Sequence, residues 1–382
     1  MIRVLVVDDS PTAQLLISKL LASEPGIEVV GTANDGLEAL ARALELRPDL
    51  ITMDVRMPRL DGLEATRRIM EQVPTPIVVV SASVDSATLP ITFSAIQAGA
   101  LEVLEKPAGF GSQNFEALRE RLVTTVRLMA EVKVVRRRAR PVTATLTPGG
   151  PGPAAGRSLE RPYGAATDEA GRASERSSER ATGRLKTGLL GRPVALLVVG
   201  ASTGGPTALT TLLKGLPADF PLPILMVQHI TIGFLPGLVS WLQTSSALRL
   251  KVAEEGELIM PGQVYFAPED RHLVLAARGV LSSNQAPPVG HVRPSATVLF
   301  KSAAKIYAAE VAGVLLTGMG EDGAAGLKAI HDAGGTTLAQ DEASSVVYGM
   351  PRAAAELGAV DQVLPLDRVA GAIIELARYT KT

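Results

Sequence analysis

The sequence predicts an α/β protein of two folded units. An N-terminal (βα)5 domain with a doubly wound parallel sheet is joined by a flexible linker to a C-terminal α/β domain with a mainly parallel sheet. Three observations predict it. Short Val/Leu/Ile runs alternate with longer amphipathic stretches near both ends of the chain, the pattern of parallel sheets covered on both faces. A length of 382 residues, at roughly 100–200 per domain, holds two or three domains. Between the two α/β stretches the composition turns to Arg, Pro, Gly and Ser.

The first domain is placed at 1–125, with strands expected at Ile2–Val7, Ile27–Gly31, Leu50–Met53, Ile77–Val80 and Leu101–Leu104. Helical spacing of Leu15, Leu16 and Leu20, then of Leu37, Leu40 and Leu44, fills the intervals. Such a domain carries its site at the carboxyl ends of the strands. Residues 126–192 are read as a helix end and a flexible linker. From 133 to 192 there are 13 Lys/Arg against 5 Asp/Glu and too few apolar residues to offset the entropy of ordering. Arg136-Arg-Arg-Ala-Arg140 has no interleaved aromatics and reads as a solvated flank rather than a nucleic-acid arm. The second domain, 193–382, has expected strands at Val194–Val199, Ile224–Gln228, Val264–Ala267, Val311–Leu316, Thr336–Ala339 and Asp361–Pro365.

Composition removes several function classes. No cysteine is present, which excludes disulfides, thiolate catalysis and Cys-ligated zinc, and four histidines make a His-rich metal site implausible. A net charge of −1 gives no global attraction to nucleic acid or to an acidic membrane. The opening apolar run is too short for a signal peptide, and no stretch approaches the ~20 residues of a membrane span. The expectation is a cytoplasmic protein with no nucleic-acid partner and no membrane insertion.

Asp8 and Asp9 follow the first expected strand and Asp54 the third, so three carboxylates converge on one sheet edge. Like charges so placed call for a cation, and hard oxygen ligation suits Mg2+. Ser81 ends the fourth strand and Lys106 follows the fifth at that same edge. A hydroxyl and an ammonium beside carboxylates and Mg2+ make a site for a phosphoryl group on a carboxylate oxygen. Aspartates at strand ends also cap helices, and Asp8-Asp9-Ser10-Pro11 would do so. Five polar residues at the ends of four strands point instead to a site. Together with Asp54-Val-Arg-Met-Pro58 and Asp61-Gly62, these residues resemble a response-regulator receiver domain. The resemblance implies that Asp54 accepts a phosphoryl group from a histidine kinase. It also implies that Asp8, Asp9, Asp54 and the Arg56 carbonyl hold Mg2+, and that Ser81 and Lys106 grip the phosphoryl oxygens. Val103 stands where many receivers have an aromatic switch residue.

In the second domain, Gly200-Ala-Ser202-Thr-Gly-Gly205 follows a strand and opens a helix, which presents Ser202 at a helix N-terminus. His229 ends the next strand, and Thr317-Gly-Met-Gly-Glu-Asp322-Gly323 follows the Val311–Leu316 strand. In a parallel sheet all three side chains reach one crevice. An imidazole can take the serine proton, Asp322 can orient the imidazole, and backbone amides such as that of Met319 can form an oxyanion hole. The order Ser…His…Asp without G-x-S-x-G excludes the α/β-hydrolase arrangement. A nucleotide-binding turn at 200–205 lacks the G-x-G-x-x-G spacing. His272, His291 and His331 read as structural or substrate-edge residues.

These segments, with Val227-Gln-His229, Ala339-Gln-Asp-Glu-Ala-Ser344 and Tyr348-Gly-Met-Pro351, resemble the catalytic domain of the chemotaxis methylesterase family, CheB, over 193–382. The receiver–linker–esterase order is also that family's. The resemblance implies hydrolysis of glutamyl methyl esters on chemoreceptor cytoplasmic domains, with release of methanol, and deamidation of selected receptor glutamines. Ser202 would be the nucleophile, His229 the base, Asp322 its orienting acid, Met319 an oxyanion amide and Thr203 a neighbour of the site, with no esterase cofactor. One departure is that His291-Val-Arg-Pro-Ser295 leads to Ala296-Thr297 rather than to an acid. The regulatory expectation is that the unphosphorylated receiver packs over the esterase crevice and that phosphorylation loosens it. The alternative function is the same chemistry in a pathway that does not control motility.

Overall fold

The computed structural model describes residues 1–81, 89–107, 115–132 and 193–378, together with 134, 185, 189 and 191. In the first domain β1 (Ile2–Val7), β2 (Ile27–Ala33), β3 (Leu50–Met53), β4 (Ile77–Ser81) and β5 (Glu102–Glu105) alternate with five helices. These are α1 (Pro11–Ala22), α2 (Gly36–Leu46), α3 (Gly62–Gln72), α4 (Leu89–Ala98) and α5 (Phe115–Met129). The strands pair in parallel in the order β2-β1-β3-β4-β5. Side chains of β3 and β4 are buried on both faces, which is why these strands read as mostly apolar runs, with Thr52 inside β3 and Ser81 at the end of β4. Helix starts are local chemistry. Ser10 accepts from Ala13 N with Pro11 in the first turn, Asp35 caps α2 at Leu37 N, and Asp61 caps α3 at Glu64 N.

The second domain begins with β6 (Leu196–Ala201), α6 (Gly205–Lys214), β7 (Ile224–Gln228), α7 (Leu235–Gln243), β8 (Arg249–Val252) and β9 (Gln263–Phe266). A hairpin of β10 (His272–Ala277) and β11 (Val280–Asn284) follows, then α8 (Ala296–Tyr307), β12 (Val311–Leu315), α9 (Ala324–Asp332), β13 (Thr336–Gln340), α10 (Met350–Glu356), β14 (Gln362–Leu364) and α11 (Leu366–Ala377). Seven strands form one parallel sheet, ordered β14-β13-β12-β6-β7-β9-β8. From β6 the chain runs outward to β7 and later returns to the other side as β12. That reversal opens a crevice at the carboxyl ends of β6, β7 and β12.

Three differences from the sequence expectations have physical causes. The strand expected at Val194–Val199 is shifted to Leu196–Ala201, because the pairing Leu315↔Gly200 carries the ladder into the glycine turn. The sequence reading omits β8, an edge strand of Arg-Leu-Lys-Val with Arg249 exposed and the other three residues only half-buried, and the β10–β11 hairpin, which stands apart from the main sheet. Most of the linker expected over 133–192 lies outside the described residues. Leu185 and Leu189 within it are buried in the apolar core, two anchors that a composition average conceals.

The carboxyl rim of the second sheet faces the α4–β5–α5 side of the first domain. Phe93 of α4 is fully buried, edge-on to Phe234 at 6.5 Å between centroids and 5.8 Å from Trp241 of α7. Arg121 of α5 donates to Thr231 Oγ1 at 2.9 Å, in the loop after β7. Glu102 of β5 accepts from Gly204 N at 3.3 Å, in the turn that bears Ser202. Burial pushes the Glu102 carboxyl pKa up, against the smaller opposing pull of Arg121 and of the amides of Val103 and Gly204.

Candidate active site and phosphorylation site

In the first domain the acidic residues meet at the β1/β3 switch point. One carboxylate oxygen each from Asp8, Asp9 and Asp54 lies within 4.8 Å of the others, with Asp8 and Asp54 buried and Asp9 exposed. Lys106 Nζ stands 2.8 Å from both Asp8 Oδ2 and Asp54 Oδ2. Burial raises the Asp54 pKa, with repulsion from Asp8 adding to it, while Lys106 and the Val55 amide pull the other way. For Lys106 burial works against the ammonium, but its bonds to Asp54 and Asp8 outweigh it and the pKa is raised. Ser81 is buried at the end of β4, and Arg56, two residues after Asp54, is exposed. Val103 is buried. Three convergent carboxylate oxygens, two of them buried against one ammonium, fit a hard divalent cation.

In the second domain the crevice holds Ser202, His229 and Asp322. The pairing Ala201↔Gln228 sets Ser202 and His229 side by side, one residue beyond adjacent strand ends. His229 N donates to Ala201 O at 3.0 Å, and Ser202 N donates to Thr317 O at 3.0 Å. Gln228 Nε2 ties the two turns together by donating to Ser202 O at 2.8 Å and to His229 O at 2.9 Å. His229 Nε2 lies 2.9 Å from Asp322 Oδ2. Ser202 Oγ makes no hydrogen bond among the described residues, and the contact with Asp322 occupies only Nε2 of the His229 ring.

Asp322 is held by more than the imidazole. Ser295 Oγ donates to Oδ1 at 2.6 Å, Ala296 N to Oδ2 at 2.6 Å, and Thr297 N to Oδ1 at 3.1 Å. Burial opposes the charged form, yet His229, Ser295 and Thr297 outweigh it and hold this carboxyl well below the usual range. The start of α8, where these donors sit, adds its dipole in the same sense.

The loop after β12 is fastened to the serine turn. Thr317 Oγ1 donates to Thr203 O, and Gly318 is so close that a Cβ there would stand 2.7 Å from Ser202 Cβ. The Met319 side chain is 47% exposed, and its amide has no acceptor among the described residues. Sequence reasoning missed Gly318, Gln228 and Ser295. The glycine lay inside the quoted Thr317–Gly323 turn, and Ser295 inside the segment from His291. His272 is fully buried and bonded to the Ser295 amide, His291 is exposed, and His331 pairs with Asp332 and Asp361 at the C-terminal end of α9.

Residues 197–373 match the model of the CheB methylesterase family, and residues 4–116 match that of the response regulator receiver domain. A Myxococcus xanthus protein named protein-glutamate methylesterase/protein-glutamine glutaminase 4 is 45% identical over 380 residues, covering 99% of this chain and 97% of its own. A protein named protein-glutamate methylesterase/protein-glutamine glutaminase from Nitrosospira multiformis is 44% identical over 378 residues, covering 98% and 97%. Among solved structures, the Thermotoga maritima CheB methylesterase catalytic domain is 40% identical and covers 48% of this chain and 98% of its own, with a TM-score of 0.47.

Proposed function

Because the chain belongs to the family of receiver-bearing protein-glutamate methylesterases/protein-glutamine glutaminases, we propose that its crevice hydrolyses receptor glutamyl methyl esters through Ser202, His229 and Asp322. The enzyme is a phosphorylation-regulated carboxylic ester hydrolase and glutaminase. Its substrate is the cytoplasmic domain of a chemoreceptor, its phosphodonor a chemotaxis-type histidine kinase, and its compartment the cytoplasm. No described helix is long and apolar enough to cross a membrane.

With Nε2–H donating to Asp322, His229 presents Nδ1 as the base, the reverse of the more familiar ring orientation. Nδ1 takes the proton of Ser202 Oγ as that oxygen bonds to the ester carbonyl carbon. The Met319 amide and the turn beside it receive the oxyanion, and Thr203 borders the substrate. Collapse breaks the bond to methoxide, which leaves as methanol with the proton from Nδ1. Water, deprotonated by the same nitrogen, then bonds to the acyl carbon; the ester bond to Ser202 Oγ breaks, Oγ takes the proton back from Nδ1, and the receptor side chain leaves as a glutamyl carboxylate. With a glutamine substrate the leaving group is ammonia. Asp322 remains ionised throughout and stabilises the imidazolium.

In the receiver, Asp8, Asp9, Asp54 and the Arg56 carbonyl would hold Mg2+, which supplies charge neutralisation for phosphoryl transfer. Asp54 accepts the phosphoryl group from the kinase histidine, and Ser81 and Lys106 bind its oxygens. Lys106 directly follows β5, the strand that carries Glu102 to the serine turn, so a rearrangement at Asp54 bears on the docked face.

The observation that carries the reading is the 2.9 Å His229–Asp322 pair, one strand from Ser202. The test is methanol release from methylated receptor membranes, with and without a small phosphodonor. Ser202→Ala is expected to abolish release, and the phosphodonor to raise it in wild type. Wild-type turnover by Ser202→Ala would remove the serine from the mechanism.

A further inference from the structure

Among the described residues Asp322 accepts hydrogen bonds from His229, Ser295, Ala296 and Thr297, and that from Ser295 Oγ, at 2.6 Å, is shorter than that from the His229 ring at 2.9 Å. Among the described residues His229 is the only titratable side chain bonded to this carboxylate. Ser295 is itself fully buried and fixed from behind. Its amide donates to His272 Nδ1 at 3.1 Å, and His272 Nε2 lies 3.2 Å from Pro287 O. A proton on His272 Nε2 satisfies both contacts, so this buried imidazole can only accept from Ser295. The same Ser295 oxygen is the N-cap of α8, accepting from Val298 N at 3.4 Å. One hydroxyl therefore accepts a hydrogen bond from the helix start and donates one to the acid that orients the base.

We propose that Ser295 is a positioning residue of the esterase, a fourth member of the Ser202–His229–Asp322 line that fixes the rotamer and charge of Asp322, with His272 as its rear support. This rests on the proposed triad. A carboxylate with a lone pair unfilled can turn about its Cβ–Cγ bond, whereas Ser295 and Thr297 pin Oδ1 and leave Oδ2 toward His229. The donated proton also draws charge from the carboxylate and moderates its stabilisation of the imidazolium.

Glycine serves as an N-cap nearly as well as serine but donates no hydroxyl proton, so Ser295→Gly separates capping from positioning. In the full-length enzyme with a phosphodonor present, Ser295→Gly is expected to lower kcat roughly tenfold to a hundredfold, the worth of a hydrogen bond to a charged group. KM should hold, because Ser295 touches no substrate. The acid limb of the kcat/KM profile should move up by about half a unit to one unit. Ser295→Thr, which keeps both cap and donor, should restore most of kcat. A melting temperature within a few degrees of wild type certifies the fold. A Gly variant that matches wild type in kcat and acid limb would overturn the proposal, as would equal losses in the Gly and Thr variants, the mark of a packing residue. Ser202→Ala run alongside separates the two claims. If it stays active the triad reading fails, and if it is dead while Ser295→Gly is unaffected only the positioning role fails.

Discussion

Replacing Gly318 by alanine should disable the esterase while leaving it folded, and the structure sets the size of the effect. A Cβ at 318 would run into Met350 Sδ and stand 2.7 Å from Ser202 Cβ and 3.2 Å from Ser202 N. Met350 is an unbranched side chain that can swing aside. Ser202 cannot, because its amide is bonded to Thr317 O and its carbonyl to Gln228 Nε2 and Gly205 N. Carbon atoms settle near 3.5–4.0 Å, so the serine turn must retreat by roughly 1 Å. A displacement of that size at a reacting group costs on the order of a hundredfold in rate. The overpacking itself costs about 1–3 kcal/mol, or several degrees of melting temperature in a domain of this size. The assay is methanol release from methylated receptor at saturating phosphodonor, with thermal unfolding of the same preparation. A variant within about threefold of wild-type kcat/KM would show that the loop after β12 does not hold Ser202 in place for turnover.

Three further outcomes follow from other contacts. Phe93→Ala removes the ring between Phe234 and Trp241, a loss of a few kcal/mol at the domain contact; methanol release without phosphodonor should rise several-fold and phosphodonor stimulation should shrink, and an unchanged ratio counts against receiver docking as the brake. Asp322 has a lowered folded-state pKa, so the stability it contributes is complete above the unfolded value near about 3.9 and is lost as pH falls below it. Chemical unfolding of Asp322→Asn should therefore give a flatter stability curve than wild type between about pH 4 and pH 2, and parallel curves would contradict the assignment of the shift. Gly371 lies exposed inside α11 with nothing within 4 Å of an added Cβ, so Gly371→Ala should stabilise the domain by about 0.5–1 kcal/mol, seen as a rise in melting temperature without change in turnover.

The elements legible in the sequence are those whose burial is uniform. β3 and β4 are buried along their whole length and announce themselves as apolar runs. The Asp and Ser caps of α1, α2 and α3 act within three residues of their own position. Residues at parallel strand ends share an edge by topology alone: Asp8, Asp9, Asp54 and Lys106 lie together on one, and on the other Ser202 and His229 follow adjacent strand ends with Asp322 bonded to His229. What sequence could not provide is partnership across distance. Ser295 reaches Asp322 over 27 residues, His272 reaches Ser295 over 23, and Glu102 meets Gly204 over 102. No periodicity encodes such pairs. The hairpin β10–β11 escaped for a related reason: its hydrogen bonds close on themselves outside the main sheet, so the burial that marks a central strand is only partial there.

Under the proposed function, the Glu102–Gly204 contact sets the receiver and a receptor segment in competition for one doorway. A segment that brings an ester to Ser202 would displace a carboxylate bonded two residues away. Linkage runs in both directions: whatever free energy a phosphoryl group on Asp54 lends to eviction, a seated receptor returns in equal measure to the phosphorylated form. Saturation with the receptor segment would thus shift the balance toward the phosphorylated, undocked form, and its removal would shift it back toward the docked one.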